Sequence, residues 1–108
     1  MQIETYGQDV DVTPALREYV ESKFERISRH VDRPFEVRVH LCLDKPNHKA
    51  EANVNLAGKA LHADASAIDM YAAIDLLADK IDRLLVKHRK KQVDHHRGEN
   101  AARDGSFG

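Results

Sequence analysis

The chain has 108 residues, a single cysteine and an almost balanced charge, 17 Lys+Arg against 18 Asp+Glu. One domain with one modest core fits that length. Cys42 alone excludes an intramolecular disulfide, and no apolar run reaches the roughly 20 residues of a membrane span. The opening MQIETYG lacks the basic and apolar regions of a secretory signal, so a cytoplasmic protein is expected.

Residues 2–6 read as a short strand ended by Gly7, followed by a connector holding Val10 and Val12. Thr13-Pro14 is a helix start, a hydroxyl cap followed by proline at the first helical position. Leu16, Val20, Phe24, Ile27 and Val31 recur at helical spacing and predict a helix over about 14–30. Asp32-Arg33-Pro34 breaks it. Residues 35–44 alternate, with Phe35, Val37, Val39, Leu41 and Leu43 on one side and Glu36, Arg38, His40, Cys42 and Asp44 on the other, which predicts a half-buried strand. After a turn at Lys45-Pro46-Asn47-His48, Ala50, Ala52, Val54 and Leu56 mark a third strand. Ala57-Gly58 turns into a fourth over 59–65, with Leu61 and Ala63 inward. A second helix is expected over about 67–91, with Met70, Ile74, Leu77, Ile81, Leu84 and Leu85 as its core stripe. Residues 92–108 hold few large apolar groups and are expected to be a disordered tail. The order βαβββα predicts a two-layer α+β domain: a four-stranded mixed sheet, two helices on one face, the first two strands parallel and the others in antiparallel hairpins.

The neutral average hides a local excess. Residues 80–91 carry six basic side chains (Lys80, Arg83, Lys87, Arg89, Lys90, Lys91) and one acid, Asp82. Residues 1–79 carry nine basic and fourteen acidic groups. At about 100° per residue, Lys80, Arg83, Lys87, Lys90 and Lys91 share one exposed flank of the second helix and Asp75, Asp79 and Asp82 the opposite one. The first helix repeats the division, with Lys23, Arg26 and His30 (beside Tyr19) against Glu18, Glu21 and Glu25. Helices stabilised by local ion pairs usually alternate sign at i,i+4; here the signs are sorted. Two cationic stripes, about 10 Å apart on neighbouring helices, are expected to meet RNA phosphates, lysine as a point charge and arginine in bidentate fashion. A solvated face with lysines favoured by the helix macrodipole is the plainer explanation of the C-terminal cluster.

Other chemistry finds little support. None of Ser22, Ser28, Ser66 and Ser106 sits in a catalytic motif, and no glycine-rich phosphate loop occurs, so no enzyme is expected. Cys42, His40 and His62 share the polar sheet face, but a third strand separates the two histidines; ordinary face residues are expected, with no metal site. With no aromatic on the polar face of strands two to four, docking by shape and phosphate contact is preferred to base stacking. Tyr71 is expected near the edge of the second helix's core stripe.

These segments resemble a known family. MQIETYG, TPALREYVESKFERI, HKAEANVNLAGKALHADA and above all DMYAAIDLLADKIDRLLVKHRKK are similar to the short bacterial ribosome hibernation promoting factors, which include protein Y and carry the labels sigma-54 modulation protein and ribosomal subunit interface protein. The likeness runs from Met1 to about Lys91, giving a ribosome-binding domain over 1–91 and a tail over 92–108. It implies a fold like a double-stranded-RNA-binding domain with an added first strand. It also implies binding to the small ribosomal subunit and its 16S rRNA, in the 70S ribosome, between head and body, where mRNA and tRNA would sit, to inhibit translation in stationary phase. Carried over by residue, rRNA contacts fall to Lys23, Arg26, Lys80, Arg83, Lys87, Lys90 and Lys91, while His88 and Arg89 match the motif but face elsewhere. No cofactor, membrane or small-molecule substrate is implied. The chain stops before the second, dimerising domain of long members, so pairing of ribosomes would need a helper such as a ribosome modulation factor. The tail VDHHRGENAARDGSFG is unlike the acidic extension of protein Y, which favours the pairing form over the one that keeps ribosomes single. A protein-binding modulator of sigma-54 is the alternative.

Overall fold

The computed structural model describes residues 2–31 and 33–101, with side chains up to His88. The elements run β1 (Gln2–Gln8), α1 (Pro14–Ser28), β2 (Phe35–Asp44), β3 (Asn47–Leu56), β4 (Lys59–Ala67) and α2 (Met70–Ala101). One mixed sheet has the order β1-β2-β3-β4, with β1 parallel to β2 and the other pairs antiparallel. This is the expected α+β architecture.

Alternation decides the layers. Phe35, Val37, Val39 and Leu41 of β2 and Ala50, Ala52, Val54 and Leu56 of β3 are buried, whereas Glu36, Arg38, His40, Asn53 and Asn55 are exposed. Leu16, Val20, Phe24 and Ile27 of α1 join Met70, Ala73, Ile74, Leu77, Ala78, Ile81 and Leu85 of α2 in that core. The small residues Ala50, Ala52 and Ala65 of β3 and β4 lie where α2 packs, so the helix can approach the sheet closely.

Local chemistry sets the ends. Thr13 Oγ1 accepts the Leu16 amide at 3.1 Å and Pro14 opens α1. Ala57 (φ 50°) and Gly58 (φ 80°) both take the left-handed region, which gives the β3–β4 turn the twist a two-residue hairpin needs. Several expected boundaries move: α1 ends at Ser28, short of the expected 30, and β4 runs on to Ala67, past the expected 65. Gly7 does not end β1; it pairs with Leu41 within the strand. Asn47 and His48 belong to β3, because Asp44 pairs with Asn47 and only Lys45-Pro46 turns. The helix α2 starts at Met70, after Asp69 Oδ1 has accepted the Ala72 amide at 2.9 Å, and continues to Ala101, beyond the expected end at 91. Of the expected tail, residues 102–108 lie outside the described residues.

Gly7 has a packing reason. A Cβ there would run into the Val10 carbonyl oxygen and stand 2.9 Å from Val12 Cγ2, in the connector that folds back over β1. Gly7→Ala is expected to destabilise the domain by about 1–3 kcal/mol through overpacking, measured as a lower urea midpoint at unchanged m-value.

Candidate nucleic-acid interface

The buried stripe of α2 fixes which neighbour each charged flank meets. Asp75 Oδ1 accepts the Tyr19 hydroxyl at 2.6 Å and pairs with Lys23 Nζ at 3.1 Å. His30 Nδ1 lies 3.2 Å from Asp82 Oδ1. These partners ascend together along both helices, so α1 and α2 run parallel. On the other side of α2, Lys80 Nζ donates to the Asp64 carbonyl of β4 at 2.7 Å.

Parallel helices with the same angular order of flanks cannot leave both basic flanks open. Lys23 and His30 of the basic flank of α1 meet Asp75 and Asp82 of the acidic flank of α2, so the sorting of sign is, at these positions, complementarity within the chain. This corrects the expected pair of open stripes. Lys23 sits in the seam between the helices, 5.3 Å from the Tyr19 ring centroid and held by Asp75. Arg26, on the same helix, is exposed and has no ion-pair partner among the described residues.

The cationic flank of α2 stands apart from that seam. The bond from Lys80 to a neutral carbonyl positions its ammonium group without cancelling its charge. The expected sorting of sign on α2 fails at one place: Arg83 pairs with Asp79, four residues before it, at 2.8 Å, so the two are neighbours and not on opposite flanks. Both side chains are open to water, 77% and 54% exposed, and such a pair contributes only a few tenths of a kcal/mol. Its guanidinium can therefore exchange the carboxylate for another anion. Lys87 is exposed with no ion-pair partner among the described residues. Lys90 and Lys91 fall outside the described side chains, as does Arg89; His88 is half-buried. The structure thus brings Lys80, Arg83 and Lys87 together on one flank and places Lys23 elsewhere.

The seam has its own titration behaviour. The hydrogen bond from Tyr19 holds Asp75 below its usual carboxylate range, with Lys23 adding to the effect and desolvation opposing it. The same bond, then desolvation, raises Tyr19 above its ordinary 10.0. Asp75 therefore contributes stability that is present above its unfolded pKa and lost as pH falls through the lowered one. The Tyr19 contribution is present below 10.0 and lost as pH rises through the raised value. Across neutral pH the Tyr19–Asp75 bond stays closed. Tyr71 packs edge-on to Tyr19 with centroids 5.0 Å apart and remains 42% exposed, so it lines the outer rim of the seam.

The opposite sheet face is polar and open. Tyr6 stacks on His40 at 5.2 Å and donates to Glu4 Oε1 at 2.7 Å, which pushes its phenol up. Strands two to four carry no aromatic on this face; Tyr6 comes from β1, where its alternation with Gln2 and Glu4 places it on that face. His40, Cys42 and His62 do not converge: His40 stacks on Tyr6, while His62 bonds Asn53 across β3 and β4. No helix among the described residues is long and apolar enough to cross a membrane.

Together these features define a small α+β binding domain with a cationic helix flank. Residues 3–93 match the family described as Sigma 54 modulation protein / S30EA ribosomal protein, and the chain belongs to that family. It is 47% identical over 102 residues to the ribosome hibernation promoting factor of Azotobacter vinelandii, covering 94% of this chain and 95% of that one. The ribosome hibernation promoting factor of Escherichia coli K12 is 42% identical over 95 residues, 88% of this chain and 100% of its own. Two solved structures share the fold. The Thermus thermophilus protein Y N-terminal domain has a TM-score of 0.76 at 31% identity, covering 82% of this chain and 99% of that one. A ribosomal subunit interface protein from Coxiella burnetii has a TM-score of 0.78 at 37% identity, covering 83% and 99%.

Proposed function

We propose that the chain is a non-enzymatic ribosome hibernation factor of the cytoplasm, which docks on the small ribosomal subunit through 16S rRNA phosphates and blocks the mRNA and tRNA channel. The observation that carries the docking surface is the α2 flank, where Lys80 keeps an uncancelled charge beside the exposed Arg83 and Lys87. The names of the relatives support the hibernation role. Arg26 extends the contact onto α1, and Lys90 and Lys91 extend it along α2. Lys23 acts mainly by fixing α1 against α2. A rigid domain that fills the channel needs no chemistry, only affinity.

Sucrose-gradient profiles of ribosomes with the purified protein test this reading. The protein is expected to travel with small subunits and 70S particles and to leave them as salt rises, with a slope set by the number of phosphates neutralised. In the presence of a ribosome modulation factor, paired ribosomes are expected. Absence from every ribosomal fraction at low salt, or capture of a partner that survives RNase, would favour a protein-binding modulator instead.

A further inference from the structure

We infer that the open face of the sheet holds a binding site for a divalent first-row transition ion, formed by Glu51, His62 and Asp64. The three ligand atoms lie within 4.8 Å of one another, with His62 Nε2 at 3.7 Å from Glu51 Oε2 and 3.8 Å from Asp64 Oδ2. Ligands about 2.0–2.2 Å from a tetrahedral ion stand roughly 3.3–3.5 Å apart. Closing the two histidine distances takes only a few tenths of an ångström, within reach of side-chain motion on exposed strands.

Register places the groups. Glu51 pairs directly with Asp64 across β3 and β4, and Asn53 pairs with His62 one step along the same face. Two carboxylates directly opposite on adjacent strands repel, and the described structure puts no Lys or Arg ion pair on either of them. Asn53 Oδ1 lies 2.8 Å from His62 Nδ1. With that oxygen accepting, Nδ1 carries a proton, and in the neutral ring the Nε2 lone pair points toward the carboxylates. A second hydrogen bond of this kind is the usual outer support of a metal-bound imidazole. One imidazole nitrogen and two carboxylate oxygens suit zinc or manganese, whereas the imidazole disfavours calcium and magnesium. The ion would cancel both carboxylate charges, tie β3 to β4 and leave coordination positions open to solvent. The α2 flank touches this cluster only where Lys80 bonds the backbone carbonyl of Asp64, so the three ligand side chains do not depend on the proposed docking.

Zinc titration of the full chain, followed by the imidazole 15N signals of His62 and by calorimetry, tests the site. Saturable binding with a large shift at His62 Nε2 is expected, abolished in His62→Ala and weakened about 10-fold in Asn53→Ala. Calorimetry that is unchanged by His62→Ala would locate zinc elsewhere on the chain and overturn the assignment. So would a His62 signal that responds to pH, as an imidazolium between two carboxylates, but not to zinc.

Discussion

Reversing three charges, Lys80→Glu, Arg83→Glu and Lys87→Glu, is expected to remove the protein from ribosome fractions while leaving it folded. Hydrogen bonds to charged groups contribute about 1.5–3 kcal/mol each. Loss of three such contacts therefore weakens binding by roughly 10³-fold or more, before the repulsion added by three carboxylates is counted. The fold has little to lose. All three side chains are exposed; Lys80→Glu gives up one solvent-exposed bond to the Asp64 carbonyl, and the Arg83–Asp79 pair contributes little in water. A carboxylate in place of the Arg83 guanidinium, facing Asp79, would cost a few tenths of a kcal/mol. Co-sedimentation and circular dichroism on the same samples check both halves. A triple variant that still co-sediments like the wild type would take the α2 flank out of the mechanism.

The seam explains why this flank, rather than the one on α1, is the stronger test. Lys23 already has Asp75 and the Tyr19 ring for partners, so an RNA phosphate would have to compete with them. Lys80 has given up no charge, since a carbonyl oxygen is neutral. A Lys23→Glu change would put a carboxylate beside Asp75 and disturb helix packing, so any loss of binding would mix two causes.

Most of the fold was legible because each element obeys one strong local rule. The alternation of Phe35 to Leu41 and the spacing of Leu16, Val20, Phe24 and Ile27 determine which face is buried, and the structure follows both, whereas Leu43, expected inward, is exposed at the end of β2, where the strand runs past the helices. Thr13-Pro14 marks the start of α1 for equally local reasons. What escaped the sequence depends on neighbours. Gly7 looks like a strand breaker in isolation, yet pairing with Leu41 keeps it in β1 and the returning connector explains why it is glycine. A helical wheel sorts Asp75 and Asp82 from Lys80 and Lys87, but it does not say which flank meets α1. That follows only when the sheet order and the parallel direction of the helices are known. The same holds on the sheet face. Cys42, His40 and His62 share a face by alternation, whereas Glu51, His62 and Asp64 are brought together by cross-strand register, which no single strand encodes.

Phe24→Ala is expected to weaken the same ribosome association by the opposite route, through loss of the folded state. Phe24 is fully buried, at 0% exposure, midway along α1 in the core shared by the sheet and α2. Truncating such a side chain costs about 3–5 kcal/mol, part of it lost transfer energy and part the cavity left behind. Domains of this size hold only about 5–15 kcal/mol in total, so a fall in melting temperature of more than about 12 °C is expected. The helix that carries Lys23 and Tyr19 would then lose its seat, and α2 would lose its partner at Asp75 and Asp82. Unlike the charge reversals, this variant should fail in denaturant before it fails on the ribosome. Its urea midpoint should drop sharply, and binding should return at low temperature if the native state is still populated there. A wild-type urea midpoint for Phe24→Ala would mean that α1 does not pack on the sheet through this side chain, and the rotation assigned to both charged flanks would fall with it.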